Sequence, residues 1–339
     1  MVNQNTHGTT RFTGSIGVFD WYYLIMKFLV TGAAGFLGSN FTLKLLQMGH
    51  DVVGIDNLSS GFQENLDFHT KEYFGKFEFI VEDTRNIQNS YSGLDGIFNF
   101  ACIASPVKYQ AAGIDTLETN FIGTRNLLDI AHRNNIKIFH ASTSEVYGDP
   151  RVSPQSESYF GNVNPFGYRA CYDEGKRVAE ALMFEYSNRL GVDIRVARIF
   201  NTYGPGMAKN DGRVISNLIM QSLTNEPITI YGDGNQTRSF CFVTDLLHGI
   251  WRLFESDIAT PVNLGSPEEH TINEIKGRIL ELIPESKSKT IYMELPYDDP
   301  VMRNPDITKA QRDLGWFPEI KIEDGLSQTI EYFEQMVNK

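Results

Sequence analysis

From Met26 onward the chain alternates between two periods of apolar spacing. "KFLVTG" is a short apolar run closed by glycine. In "FLGSNFTLKLLQMG" the apolar positions recur at helical spacing, with Leu37, Phe41, Leu45 and Met48 on one side and Gly49 as a natural stop. "DVVGID", "FEFIVE", "GIFNFAC", "IKIFHAS" and "VDIRVARIF" are further strand-like runs, with helical patterns between several of them, notably around 115–133 and 170–190. This alternation predicts an α/β fold built on a doubly wound parallel sheet with helices on both faces. After about residue 200 it loosens, and Gly, Pro and Asn turns become frequent. That predicts a smaller C-terminal α/β substrate lobe, built partly from segments that return to the first domain. The expected division is an N-terminal extension over 1–25, a nucleotide-binding domain over 26–200 and the substrate lobe over 201–339.

The first 25 residues are Thr/Gly/Asn-rich and then aromatic. They do not read as a secretory signal, because Asp20 interrupts the apolar run and Lys27 follows it. No stretch reaches the roughly 18 apolar residues that span a bilayer. At 339 residues, 41% hydrophobic and 21% charged, the chain reads as a soluble globular protein. Its formal net charge of -12 argues against nucleic acid or anionic membrane as a partner, since both call for clustered Lys and Arg. Cys102, Cys171 and Cys241 are sparse and far apart, which predicts a reducing, cytoplasmic setting. The seven histidines show no HxxxH or HExxH pairing, so no metal site is expected.

The first chemical signal is "TGAAGFLGS", with Gly32, Gly35 and Gly38 between a strand and a helix. Bare backbone can approach a pyrophosphate there, and the helix N-terminus offers N–H groups. Asp56 closes the next strand, where a carboxylate accepts both ribose hydroxyls and repels a 2′-phosphate. Together these predict a Rossmann-like domain that binds NAD rather than NADP. The bland alternative is a tight turn with an unrelated Asp. The second signal is "YDEGK": Tyr172 and Lys176 stand four apart and share a helix face. A neighbouring ammonium and a positive nicotinamide would lower the pKa of the phenol and make it a usable base. An exposed pair on an amphipathic helix is the competing reading.

The glycine loop, "STSEVYG", "YDEGK" and "RIFNTYGP" together resemble the extended short-chain dehydrogenase/reductase superfamily, from about Met26 almost to the C-terminus. Within it, "STSEVYGDP", "GNVNP", "CYDEGKR", "DGRVISN", "GDGNQTRSF", "PVNLGSPEEHTI" and "RNPDI" resemble the UDP-glucuronate decarboxylases, also called UDP-xylose synthases. The resemblance implies a cofactor site of Gly32, Gly35, Phe36, Leu37, Gly38, Asp56, Asn57, Asp83, Thr84 and Ala101, together with Tyr172 and Lys176. It implies nucleotide-sugar contacts at Tyr109, Ser144, Asn201, Arg213, Tyr231, Arg238 and Arg303, with Asn201, Arg238 and Arg303 on the diphosphate, Tyr231 and Arg213 toward uridine, and Tyr109 toward the sugar.

In the dehydratases of the superfamily the motif after this strand reads Thr-Asp-Glu, and the Asp protonates the leaving hydroxyl. Here it reads Thr143-Ser144-Glu145, and a serine cannot serve as that acid near neutral pH. Simple 4-epimerases usually lack the glutamate. The resemblance therefore implies oxidation of the sugar at C4 with Tyr172 taking the O4 proton, loss of carbon dioxide from the β-keto acid, protonation at C5 and reduction of the ketone. Thr143 would bond O4, and Glu145 and Arg303 would lie near the sugar carboxylate and C5. The expected substrate is UDP-glucuronate. Another NDP-sugar 4-epimerase or 4,6-dehydratase, and a non-catalytic NAD-sensing protein, stay open as alternatives. Ile103, Glu118 and Tyr168 depart from the family's pattern at positions expected near the sugar pocket. Apolar faces on the helices near 115–133, including Leu117, Phe121 and Leu128, and near 170–190 imply a two-fold homodimer through a four-helix bundle, as in that family.

Overall fold

The computed structural model describes residues 25–67, 73, 75–87, 91–295 and 302–338; the N-terminal extension anticipated over 1–25 lies almost wholly outside them. Strands β1 (Lys27–Thr31), β2 (Asp51–Asp56), β3 (Phe77–Val81), β4 (Gly96–Asn99), β5 (Lys137–Thr143), β6 (Ile194–Ile199) and β7 (Val262–Leu264) form one sheet. Its order is β7-β6-β5-β4-β1-β2-β3, and every pairing is parallel. β7 comes from a segment far along the chain that returns to the sheet beside β6.

Both faces of the sheet are covered, which is why its strands read as nearly continuous apolar runs. Because side chains alternate along a strand, neighbours go to opposite cores. Phe28, Val30, Phe98 and Phe139 join one cluster with Phe41 and Leu45 of helix α1 (Phe36–Gln47). Leu29, Ile97 and Ile138 join the other, with Leu127, Leu128 and Met183. Met48, expected on the buried face of α1, is the C-cap and is exposed; the helix has already turned toward Gly49, whose φ of 85° only glycine adopts easily.

The helical pattern near 115–133 resolves into α2 (Pro106–Ala111), α3 (Gly113–Glu118), a π-helical turn (Thr119–Gly123) and α4 (Thr124–Asn134). The π turn breaks the register. Leu117 and Phe121 remain exposed, but Leu128 is fully buried against the sheet, so it does not belong to the outer face anticipated for it. α5 (Ala170–Leu190) is the longest helix among the described residues and ends at Gly191 in a left-handed conformation. No helix among the described residues is long and apolar enough to cross a membrane, and none of their His, Cys, Asp and Glu side chains cluster as metal ligands.

One long-range tie bears on the site. The Gln155 backbone N–H donates to the Asn304 carbonyl at 2.8 Å, and the Asn304 backbone N–H donates to Gln155 Oε1 at 2.9 Å. Asn263 on β7 donates from Nδ2 to the carbonyls of Gln155 (2.9 Å) and Asp306 (3.0 Å). The segment carrying Arg303 is thereby fastened to the edge of the sheet.

Candidate active site

Strand order reverses between β1 and β4, and a crevice opens there beyond the carboxyl ends of the strands. Gly32 follows β1 with φ of 71°, and a Cβ placed on it would lie 2.7 Å from the Phe100 carbonyl carbon just beyond β4. A Cβ on Gly38, in the first turn of α1, would collide with the Gly32 carbonyl. Both positions exclude any side chain, so the chain makes bare backbone at the N-terminus of a twelve-residue helix, the cradle a dinucleotide pyrophosphate needs. Asn99, which sequence reasoning missed, braces this crevice from below. Its Oδ1 accepts from Thr31 Oγ1 (2.9 Å) and the Ala101 N–H (3.1 Å), and its Nδ2 faces His140 Nδ1 at 3.2 Å.

Asp56 lies at the end of β2, nearly buried, with Oδ2 accepting from the Ala34 N–H (3.0 Å) and Oδ1 from the Leu58 N–H (2.8 Å). Burial raises its pKa, and these backbone donors oppose the rise. They fix the carboxylate beside the glycine loop while leaving it lone pairs for a ribose. Asn57 donates to Asp83 Oδ2 at 2.9 Å. Asp83 also pairs with Arg85 at 2.8 Å, and its pKa falls to about 2: burial acts upward, but the Arg85 hydrogen bonds outweigh it. Thr84 is buried under Gly123, where a Cβ would approach its Oγ1 to 2.5 Å. Glu118, expected near the sugar, instead meets Arg85 at 2.9 Å, together with Asp115 at 2.6 Å. It belongs to the Asn57–Asp83 end of the crevice, because α3 carries it toward β3. Of the other departures, Ile103 packs against Tyr109 and Tyr172, and Tyr168 is largely exposed.

The crevice continues as one cleft lined by Phe36, Leu37, Tyr109, Thr143, Ser144, Glu145, Tyr172, Lys176, Asn201, Arg213, Tyr231, Arg238 and Arg303. Tyr172 is stacked on Tyr109, ring centroids 4.9 Å apart and planes 5° from parallel. The Thr143 side chain hydrogen-bonds the Tyr172 phenol. Lys176 Nζ donates to the Ala141 carbonyl at 2.8 Å and lies 5.9 Å from the Tyr172 ring centroid. The ammonium thus lies near the phenol, on the shared helix face. Burial, and next the Cys102 thiol, hold Tyr172 well above the ordinary tyrosine value against the pull of the Thr143 bond. Burial also lowers the pKa of Lys176.

Glu145 follows β5 on a short 3₁₀ turn (Ser144–Tyr147) capped by Thr143, which accepts the Glu145 N–H at 3.3 Å. It is buried between two guanidiniums, 2.8 Å from Arg169 and 2.6 Å from Arg303. Burial pushes its pKa up, but Arg303 and Arg169 pull it below the ordinary value, so it is an anion. Arg169, at the N-cap of α5, was not legible in the sequence as a site residue. Arg213 is tied to Asp211 and stands over the Phe36 ring, 5.6 Å from its centroid. Arg238 donates to the Thr237 carbonyl at 2.9 Å, Asn201 accepts the Cys241 N–H at 2.9 Å, and the Tyr231 carbonyl accepts from Gln236 at 2.6 Å. The structure thus brings a phenol, an ammonium and an arginine-clamped carboxylate to one cleft beside a dinucleotide cradle. Such a set can move a proton at a hydroxyl and recognise an anionic sugar.

The sequence profile of the GDP-mannose 4,6 dehydratase family matches residues 29–329. The chain belongs to that family. Relatives of this GDP-mannose 4,6 dehydratase family member include UDP-glucuronic acid decarboxylase 1 of Danio rerio, 48% identical over 91% of this chain and 73% of the relative. UDP-glucuronic acid decarboxylase 6 of Arabidopsis thaliana is 48% identical over 89% of this chain and 87% of its own length. Among solved structures, UDP-glucuronic acid 4-epimerase of Bacillus cereus, in complex with UDP-glucuronic acid and NAD, superposes with a TM-score of 0.82 at 27% identity. It covers 92% of this chain and 100% of the epimerase.

Proposed function

We propose that the chain catalyses the NAD-dependent decarboxylation of UDP-glucuronate to UDP-xylose through a 4-keto intermediate. The observation that carries this reading is the anionic Glu145 held between Arg169 and Arg303 beside Tyr172, in a chain 48% identical to UDP-glucuronic acid decarboxylases.

The glycine cradle and Asp56 fit NAD. When bound, NAD supplies the oxidation of C4 and its later re-reduction, and its positive nicotinamide adds the charge that the buried phenol lacks. Tyr172 takes and returns the proton on O4, and Thr143 holds that oxygen through the same hydrogen-bonding site. Lys176 binds the ribose and, through its bond to the Ala141 carbonyl, stays fixed below the phenol. Arg169 and Arg303 orient the sugar carboxylate, and Glu145 places a negative charge against it. The C5–C6 bond then breaks, its electron pair moves into the enolate at C4–O4, and carbon dioxide leaves. A proton from water is then added at C5, where the carboxylate has left. Ser144 offers no acid for the loss of a C6 hydroxyl. Arg238 and Asn201 suit the diphosphate, and Tyr231 with Arg213 the nucleoside side.

A 4-epimerase acting on the same sugar nucleotide is the second reading, favoured by the likeness to the Bacillus cereus epimerase. Incubation with UDP-glucuronate and NAD separates the two by mass spectrometry and NMR. A product lighter by carbon dioxide, with UDP-xylose couplings, is the expected result. A product of unchanged mass with C4 inverted would overturn it.

We further propose a homodimer. Ile114, Leu117 and Phe121 form an exposed apolar strip, and Phe184 on the neighbouring helix α5 is 62% exposed. A twofold axis would pair these strips and remove them from water. Light scattering at micromolar concentration should give twice the chain mass, and a monomer mass would contradict the proposal.

A further inference from the structure

Tyr147 stands two residues after Glu145 on the same 3₁₀ turn, and the chemistry above does not use it. It is 1% exposed, and its phenol oxygen is engaged on two sides. The O–H donates to Asn263 Oδ1 at 2.7 Å, and the oxygen accepts from the Arg198 guanidinium at 3.0 Å. Burial pushes its pKa up to about 12 although Arg198 opposes the rise, so the phenol keeps the proton it donates. Arg198, on β6, grips Glu180 of α5 through hydrogen bonds of 3.0 and 2.8 Å, and Ser142 of β5 donates to the same carboxylate at 2.5 Å. Tyr147 therefore ties the turn of Glu145 to the helix that carries Tyr172 and Lys176.

Its other tie leads to Arg303. Asn263 is fully buried: Oδ1 takes the Tyr147 proton, and Nδ2 donates to the Gln155 and Asp306 carbonyls. Gln155 in turn exchanges hydrogen bonds with Asn304, the residue after Arg303. A continuous path of hydrogen bonds thus runs from the turn of Glu145 to the segment of Arg303, two elements whose charges meet at 2.6 Å. Long side chains keep rotamer freedom, so such a pair can form in several arrangements; the spacing of the backbones beneath selects one. Arg303 also lines the cleft, and its Nε has no hydrogen-bond partner among the described residues, so it brings the cleft an unused donor. We propose that Tyr147 and Asn263 are positioning residues for carboxylate recognition: their hydrogen bond fixes Arg303 relative to Glu145 and so places its guanidinium where the sugar carboxylate meets it. The identity of that carboxylate rests on the decarboxylase reading.

The test is calorimetric titration of the NAD-loaded protein with UDP-glucuronate and with UDP-xylose, which lacks the carboxylate. Tyr147→Phe keeps the ring against Tyr159 and Phe200 and removes only the oxygen. Arg177 of α5 still donates to the Val146 carbonyl at 3.0 Å, so the turn keeps a second hold. Gln155→Met cuts the same path at its far end, where Oε1 accepts from the Asn304 N–H. In each variant the ratio of the UDP-glucuronate Kd to the UDP-xylose Kd should rise by about tenfold, the size of one lost hydrogen bond to a charged group, while NAD and UDP-xylose bind as in the parent. In an Arg303→Ala background Tyr147→Phe should add nothing to the ratio, since the group it positions is gone. A purely structural role predicts instead that both nucleotides weaken together. An unchanged ratio in either folded variant would overturn the proposal, as would loss of NAD binding in both, which would make the path general support for the fold. A parent that releases no carbon dioxide from UDP-glucuronate overturns the decarboxylase reading, yet a ratio that still rises in the variants upholds the positioning role. Normal decarboxylation with unshifted ratios overturns the proposal alone.

Discussion

Tyr172→Phe lowers turnover of UDP-glucuronate by roughly 10²- to 10⁴-fold, the span lost with a general base, while NAD binding changes little. The packing argues for so clean a separation. The Tyr172 ring is 7% exposed and lies flat against Tyr109, so phenylalanine fills the same place. Only the phenol oxygen and its bond to Thr143 are lost. Because burial holds the phenol well above its ordinary pKa, residual activity in the unmodified enzyme should fall as pH drops, and that slope should vanish in the variant. Steady-state kinetics with product detection checks the rate, and calorimetry checks the cofactor. Near-normal turnover would remove Tyr172 from the mechanism.

The second large effect concerns Glu145. In Glu145→Gln, decarboxylation falls by about a hundredfold or more while UDP-glucuronate binds as well as before or more tightly. Removing one partner of a buried ion pair ordinarily costs about 3–5 kcal/mol, because a charge is left uncompensated. Here the groups that lose Glu145 are Arg169 and Arg303, the guanidiniums proposed to meet the sugar carboxylate. The ligand replaces the missing anion. The variant should therefore melt earlier than the parent when empty and recover more with UDP-glucuronate than with UDP-xylose. Turnover falls because the carboxylate, no longer pressed by a neighbouring anion, rests in a stable ion pair. With dTDP-glucose the parent enzyme should accumulate no 4-keto-6-deoxy product, since Ser144 supplies no acid. If turnover and affinity both stay within a few-fold in Glu145→Gln, the carboxylate has only a structural part. If the deoxy product forms while UDP-glucuronate is untouched, the enzyme is a dehydratase.

Which parts were legible in the sequence follows from range. The glycine loop, Asp56 and the Tyr172–Lys176 pair are local patterns whose spacing carries their meaning. The strands buried on both faces announce themselves as apolar runs. Arg169 gave no signal, because only the fold turns it back onto Glu145, 24 residues away. Asn99 reads as one polar residue in an apolar strand until Thr31 and Ala101 close around it. β7 escaped notice because three residues are too short for a pattern. The π turn at Thr119–Gly123 defeated the periodicity that put Leu128 with Leu117 and Phe121. Glu118 shows the converse: its position in a motif suggested the sugar, and the direction of α3 delivered it to Arg85.

The fastening of Arg303 to the sheet edge through Gln155, Asn263 and Asn304 has a consequence for biosynthesis. Arg303 and Glu145 are 158 residues apart, so the ribosome releases the glycine cradle, Tyr172 and Lys176 well before the arginine that completes the carboxylate clamp. A nascent chain can close its dinucleotide crevice early, since β1 to β6 precede residue 200. On the proposed reading it then lacks one of the two guanidiniums that would tell a glucuronate from a neutral sugar. The second arrives when Asn304 finds Gln155, so on that reading a chain truncated before that point would keep its place for the cofactor and choose its substrate less strictly.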